Sequence, residues 1–260
     1  MSKQENYTEI NLIDLISNKT TFTFIKFEDY CSPSYPSEIG CARVQNGCIV
    51  ATLHTFITPT DCTKMQSCIK SVTISQKTTG IPVPWSNEFQ QCQPCVKYDK
   101  NLLQFGQLLI QFCTASSEQL RNGLGKDINI QIFSDFEQNN DYVFLTKMQQ
   151  IATNNEYQIL SGMMGIKNKV VNVNDVLKKF FKIQLTYEHQ YTYRKTNFCA
   201  FHNKTLQQNN KSVRLRKIFH CALDLALYLA EKFVKQFYLV DDIQTKVKVI
   251  YQDDEITIEW

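Results

Sequence analysis

No stretch of this chain approaches the roughly 18 consecutive apolar residues of a membrane span, and its opening, MSKQENYTEI, is polar where a secretory leader needs an apolar core. Both absences point to a protein that stays inside the cell, in cytoplasm, nucleus or both, and is not secreted. No internal repeat is present, which excludes a solenoid or propeller. The charge imbalance is also small: 28 Lys and Arg against 25 Asp and Glu give a net charge of +3, too little to identify a partner. One absence is informative. Between His189 and Leu223 there is no Asp or Glu, while Arg194, Lys195, Lys204, Lys211, Arg214, Arg216 and Lys217 all fall there. An acid-free basic stripe attracts phosphate backbones, and Tyr191, Tyr193, Phe198 and Phe201 within it could stack the bases of a single strand. The opposing interpretation is a solvated loop whose aromatic residues belong to the core.

With 260 residues, 43% of them hydrophobic, the chain can bury a sizeable core. Residues 1–19 read as a polar lead-in, 20–240 as one domain and 241–260 as a C-terminal extension. Thr20 to Phe27 alternates polar and apolar residues rich in β-branched and aromatic side chains, the pattern of a strand. Tyr30 to Pro36 is a loop, Ile39 to Val44 a second strand and Cys48 to Ile57 a third. Asn46-Gly47 between the last two is a strong hairpin signal. Thr60 to Asp99, with Gly80, Pro82, Pro84 and Pro94, reads as loop.

Helices are expected over Leu102 to Leu120, Asp141 to Ala152, Val176 to Phe181 with Asn174 as its cap, and Cys221 to Phe237. Strands are expected over Asp127 to Phe133 and Lys169 to Val173, and a terminal hairpin turning at Asp253-Asp254. Three antiparallel strands followed by alternating helices and strands define an α/β class: a ribonuclease H-like mixed sheet flanked by helices.

Ten cysteines in a reducing compartment suggest metal ligation before disulfides. Cys199-Ala200-Phe201-His202 offers half a tetrahedral site, because a thiolate and an imidazole two residues apart can share one ion. Two completions compete: Cys92 and Cys95, or Cys221 together with a distant carboxylate. The bland alternative is that buried cysteines act as small hydrophobes. Cys92 and Cys95 also have redox-dithiol spacing, but Lys97-Tyr98-Asp99-Lys100 does not look like the helix such a pair requires.

Several segments together resemble a Maelstrom domain. These are Thr23 to Cys31, Tyr35-Pro36-Ser37-Glu38-Ile39-Gly40, His54 to Pro59, Gly80-Ile81-Pro82, Cys199-x-x-His202, and Cys221-Ala222-Leu223 at a helix start. The resemblance spans about residues 20 to 238. It implies a ribonuclease H-like fold related to acidic-residue exonucleases and a structural zinc held by Glu38, Cys199, His202 and Cys221. It also implies work in a small-RNA, piRNA-type silencing pathway with single-stranded RNA and silencing-complex proteins as partners. His220 competes with Cys221, and His54 would substitute for Glu38, whose bland interpretation is a solvated strand-edge carboxylate.

A two-metal nuclease needs carboxylates on one face of the first strand at i, i+2. The adjacent Glu28 and Asp29 would point to opposite faces of a regular strand, so no catalytic residue is assigned and the acidic exonuclease quartet is not apparent. An endoribonuclease of the same fold and a protein-interaction scaffold stand as the alternatives to an RNA-binding module.

Overall fold

The computed structural model describes residues 21–31, 35–58, 62–90, 95–97, 112, 130–134, 170–185, 220–238, 244–245, 248–252 and 255–259. Three antiparallel strands open the chain: β1 (Thr21–Asp29), β2 (Pro36–Gln45) and β3 (Cys48–Thr58). They run further than their alternating patterns suggest, because all three are buried along most of their length. Asn46 and Gly47 form the β2–β3 turn with φ of 50° and 76°. Positive φ at both central residues is what a turn matched to strand twist requires, and Asn-Gly supplies it at least cost.

The sheet grows by parallel strands on both sides of this unit. β5 (Ile130–Ser134) joins β1 and β6 (Val170–Asn172) joins β5. On the far side β4 (Cys95–Lys97) and β7 (Gln244–Thr245) each pair with part of β3, giving a seven-stranded mixed sheet. β8 (Lys248–Gln252) pairs with β9 (Glu255–Glu259) as a separate antiparallel two-stranded sheet, the terminal strand pair expected; Asp253 and Asp254 lie outside the described residues. This is the α/β mixed sheet flanked by helices that the sequence pattern implies.

Residues 60–99 depart from the loop expected of them. They hold α1 (Thr63–Gln66), α2 (Ile69–Thr79) and α3 (Asn87–Gln90) before β4 begins. α2 buries only Val72 and Thr79, so it lacks the wide apolar stripe by which a helix announces itself. It ends at Gly80, read from the sequence only as a loop residue, which takes the left-handed cap with φ 71° and donates its N–H to the Gln76 carbonyl at 2.9 Å. A second correction concerns α4 (Val173–Phe181): the cap is Asn172, not Asn174, and its Oδ1 accepts from the Asn174 N–H at 3.0 Å. Asn172 ends a strand in extended geometry, so it is the last residue free to turn its side chain back over the new helix. The helices expected over 102–120 and 141–152 lie outside the described residues, except that Phe112 is helical and buried.

The long helix α5 (Ala222–Phe237) lies across one face of the central strands. Residues 222–230 are buried all round, because the helix is sandwiched between sheet and neighbouring elements. Its second half meets an aromatic floor: the Phe233 ring lies 4.9 Å from Phe133, 5.0 Å from Phe22 and 5.7 Å from Phe24. A smaller cluster of Tyr30, Phe56, Met65, Val72, Ile81 and Phe89 sits under α1 and α2. Among the described residues no helix is long and apolar enough to cross a membrane.

Candidate metal centre

The first half of α5 rests on different chemistry. In β2, Glu38 pairs with Glu28 of β1 and Phe56 of β3, while Gly40 pairs with Lys26 and His54. Residues directly opposite one another share a face of the sheet. Glu38, Gly40, Lys26, Glu28 and His54 therefore occupy the same face as the aromatic floor, at its other end. Glu38 is fully buried in the middle of the sheet, and not the solvated strand-edge carboxylate of its bland interpretation. His54, diagonal to it, places Nε2 against Oε1 of Glu38 and keeps 14% of its side chain exposed.

α5 completes the cluster from above. Its N-cap residue, Cys221, makes no capping bond of its own. Its thiol instead points at Glu38 Oε1 over 3.4 Å. The other carboxylate oxygen, Oε2, accepts the Ala222 N–H at 3.2 Å, so Glu38 acts as a cap for a helix 184 residues away in sequence. A carboxylate at the positive end of a 16-residue helix is in its most favourable place. One candidate ligand atom from each of Glu38, His54 and Cys221 lies within 4.8 Å of the other two.

Electrostatically the cluster is a cation trap. Burial alone would pull the His54 imidazole below its ordinary 6.5. Its hydrogen bonds to Cys221 and Glu38, and their charges, outweigh that and push it up to about 10. A proton held this firmly marks a point where two acidic groups favour positive charge, and a divalent ion meets the same field. The arrangement does not suit a nucleophilic relay. Such a relay needs cysteine, imidazole and carboxylate in line with an accessible thiol, whereas here thiol and imidazole both converge on one carboxylate oxygen and Cys221 is fully buried. The group could hold a metal ion, with oxygen, nitrogen and sulfur donors presented together.

The structure brings Glu38 and Cys221 together, and adds His54 as a companion to Glu38 rather than its substitute. His220, the competitor to Cys221, gives its backbone N–H to the Thr78 carbonyl at 2.7 Å and is not a member of the cluster. Cys199, His202, Cys92 and the basic residues Arg194, Lys195, Lys204, Lys211, Arg214, Arg216 and Lys217 lie outside the described residues. Cys95 opens β4, a strand and not the helix that a redox dithiol needs.

His54 was expected only as a substitute for Glu38, and hairpin counting would have put the two on opposite faces. The Asn-Gly turn pairs Gln45 with Cys48 and Val44 with Ile49. Continued without interruption, that register would put His54 opposite Ile39, on the reverse face from Glu38. The register slips at Val50, so Arg43 pairs with Ala51 and His54 moves opposite Gly40. A one-residue bulge flips every side chain beyond it. Another shift falls where Glu28 pairs with Glu38 and Asp29 with Pro36, so the extra residue there is Ser37 of β2, while Glu28 and Asp29 remain consecutive residues of β1.

No family model matches the chain, and no characterised protein sequence matches it either. Among solved structures it resembles apo exonuclease I, with a TM-score of 0.44 and 13% identity over 84% of this chain and 42% of that one. It likewise resembles a product-bound exonuclease I, with a TM-score of 0.42 and 12% identity over 85% and 45%. The chain therefore spans less than half the length of either enzyme.

Proposed function

We propose that this protein is a zinc-stapled, single-stranded RNA-binding domain of the Maelstrom kind, working in a small-RNA, piRNA-type silencing pathway inside the cell. The observation that carries this reading is the convergence of Glu38, His54 and Cys221 at one buried point. Two of these three, Glu38 and Cys221, are ligands that the resemblance implies, and they lie 183 residues apart in the chain.

Zinc takes a mixed set of carboxylate, imidazole and thiolate donors and binds tetrahedrally when it is structural. The resemblance implies Cys199 and His202 as the ligands that complete Glu38 and Cys221, and His54 adds a further donor beside Glu38 and Cys221. With four protein ligands no position is left for water or substrate, so the ion's work is to fasten β2, β3 and α5 together. Metal analysis of purified protein tests this directly: about one equivalent of zinc is expected, and Cys221→Ala should abolish it. Retention of zinc in Cys221→Ala would exclude the assignment.

Binding of RNA falls to the acid-free window. Reversing the charges of Arg214, Arg216 and Lys217 together should flatten the slope of log affinity against log salt by about 2, since each phosphate contact on a single strand contributes about 0.7. An unchanged slope and affinity would favour a protein-interaction scaffold.

A second reading, an active metal-dependent ribonuclease, is supported by Glu28, which pairs with Glu38 and so puts a second carboxylate on the same face of the sheet. Labelled single-stranded RNA incubated with magnesium or manganese decides it: product that disappears when Glu28 and Asp29 are both replaced by Ala would establish the nuclease.

A further inference from the structure

Gly40 sits in β2 between Lys26 and His54, one residue pair along from Glu38. Directly above it passes the first turn of α5. A Cβ built on Gly40 would lie 2.1 Å from the Leu223 nitrogen, 2.2 Å from the Ala222 carbonyl carbon and 2.4 Å from the Ala222 oxygen. These are backbone atoms, so no rotamer change can relieve the contact, and only withdrawal of the helix start would. Gly40 is extended β2 backbone and needs no special φ. What the position demands is the missing side chain.

The geometry points to Gly40 as the positioning residue of the metal centre: its bare Cα is the notch that lets α5 descend until Cys221 shares the Glu38 carboxylate with His54. This rests on the cluster being a metal site. Glu38 and His54 are fixed by β2 and β3 and would keep their places without the notch. Cys221 is carried by the helix and would not. A methyl group at 40 therefore withdraws the Cys221 sulfur and spares Glu38 and His54.

Cobalt(II) bound to the whole chain reports the sulfur directly, because a thiolate ligand adds an intense near-ultraviolet charge-transfer band that carboxylate and imidazole ligands do not give. Wild type should show the band. Gly40→Ala should lose the share of its intensity that Cys221 contributes and match Cys221→Ala, with cobalt bound at least tenfold more weakly. Val44→Ala, which weakens the same strand in the aromatic core, should keep it. The band retained at wild-type intensity in Gly40→Ala would overturn the inference and leave the metal site standing. No cobalt uptake by wild type would overturn both.

Should Gly40→Ala fail to fold, Ala222→Pro gives an independent arm. Proline suits the first helical position, and Cys221 before it is already extended at φ −138°, ψ 123°. This change deletes the N–H that bonds Glu38, sets a ring carbon against that carboxylate oxygen so that it must turn aside, and leaves the notch intact, so the Cys221 share of the band should persist. Its loss would assign the positioning to that hydrogen bond and not to Gly40.

Discussion

The two ends of α5 rest on one face of one sheet and are held in opposite ways. At the Phe233 end, rings from β1, β5 and the helix lie 4.9 to 5.7 Å apart and stabilise by area and dispersion. Losing one ring leaves the others in contact. At the Ala222 end, the helix meets a carboxylate, a thiol and an imidazole whose value depends on convergence within a few ångströms. Losing one of them leaves buried polar groups without the arrangement that justified burying them. The first end fastens the helix, and the second makes its position consequential.

The largest effect should come from breaking the aromatic end. Phe233→Ala removes a fully buried ring and is expected to cost about 3–5 kcal/mol in urea unfolding. It should nevertheless leave zinc stoichiometry unchanged at temperatures where the variant is folded. Zinc lost in proportion to stability would show that the two ends behave as one unit, and the contrast drawn here would fail.

How much of each end the sequence reveals follows from the same contrast. The aromatic end is periodic: Leu225, Leu229 and Phe233 mark a helix stripe and Phe22 and Phe24 a strand face, so both elements were expected, and the structure packs them together. The hairpin turn was legible because Asn-Gly adopts positive φ at low cost. The polar end has no period. Glu38 looks like any exposed carboxylate until the strand beside it is known to be central, and only the family resemblance singled it out. His54 reaches the cluster through the slip at Val50, a backbone event with no residue signature. Gly40 stands out only once the backbone above it is in place. α2 escaped notice for the complementary reason that it buries too little to show a stripe.

The next effect distinguishes the ends by pH. Folded His54 titrates near 10 and would titrate near 6.5 when unfolded, so the folded chain holds the extra proton. The stabilisation is complete below about pH 6.5 and is lost as pH rises toward 10. Metal-free protein should therefore lose stability across that window, with a limiting slope of about 1.4 kcal/mol per pH unit. His54→Gln should flatten the profile, and Phe233→Ala should shift it down without changing its shape. Because the ion must displace that proton, zinc affinity should rise with pH over the same range. A metal-free profile that is already flat in wild type would remove the imidazolium from the cluster.

The smallest effect on stability, and the sharpest separation of the two ends, is expected from Glu38→Gln. Glutamine keeps the volume and an oxygen able to accept the Ala222 N–H, so the helix retains its cap. What disappears is the negative charge. In metal-free protein near pH 10, His54 has given up much of its proton, so little of the ion-pair contribution remains to be lost. The change then replaces a charge-assisted hydrogen bond by a neutral one and relieves a buried carboxylate of its desolvation cost, for a net loss of no more than about 1 kcal/mol. At neutral pH with zinc present the same substitution should cost far more, because the wild type gains binding energy that the variant cannot. The check is a pair of melting curves for each protein, with and without a chelator. Wild type should fall when chelated, and Glu38→Gln should give the same curve both ways. A variant that still responds to the chelator would mean that the ion is held elsewhere and that the buried carboxylate serves the helix alone.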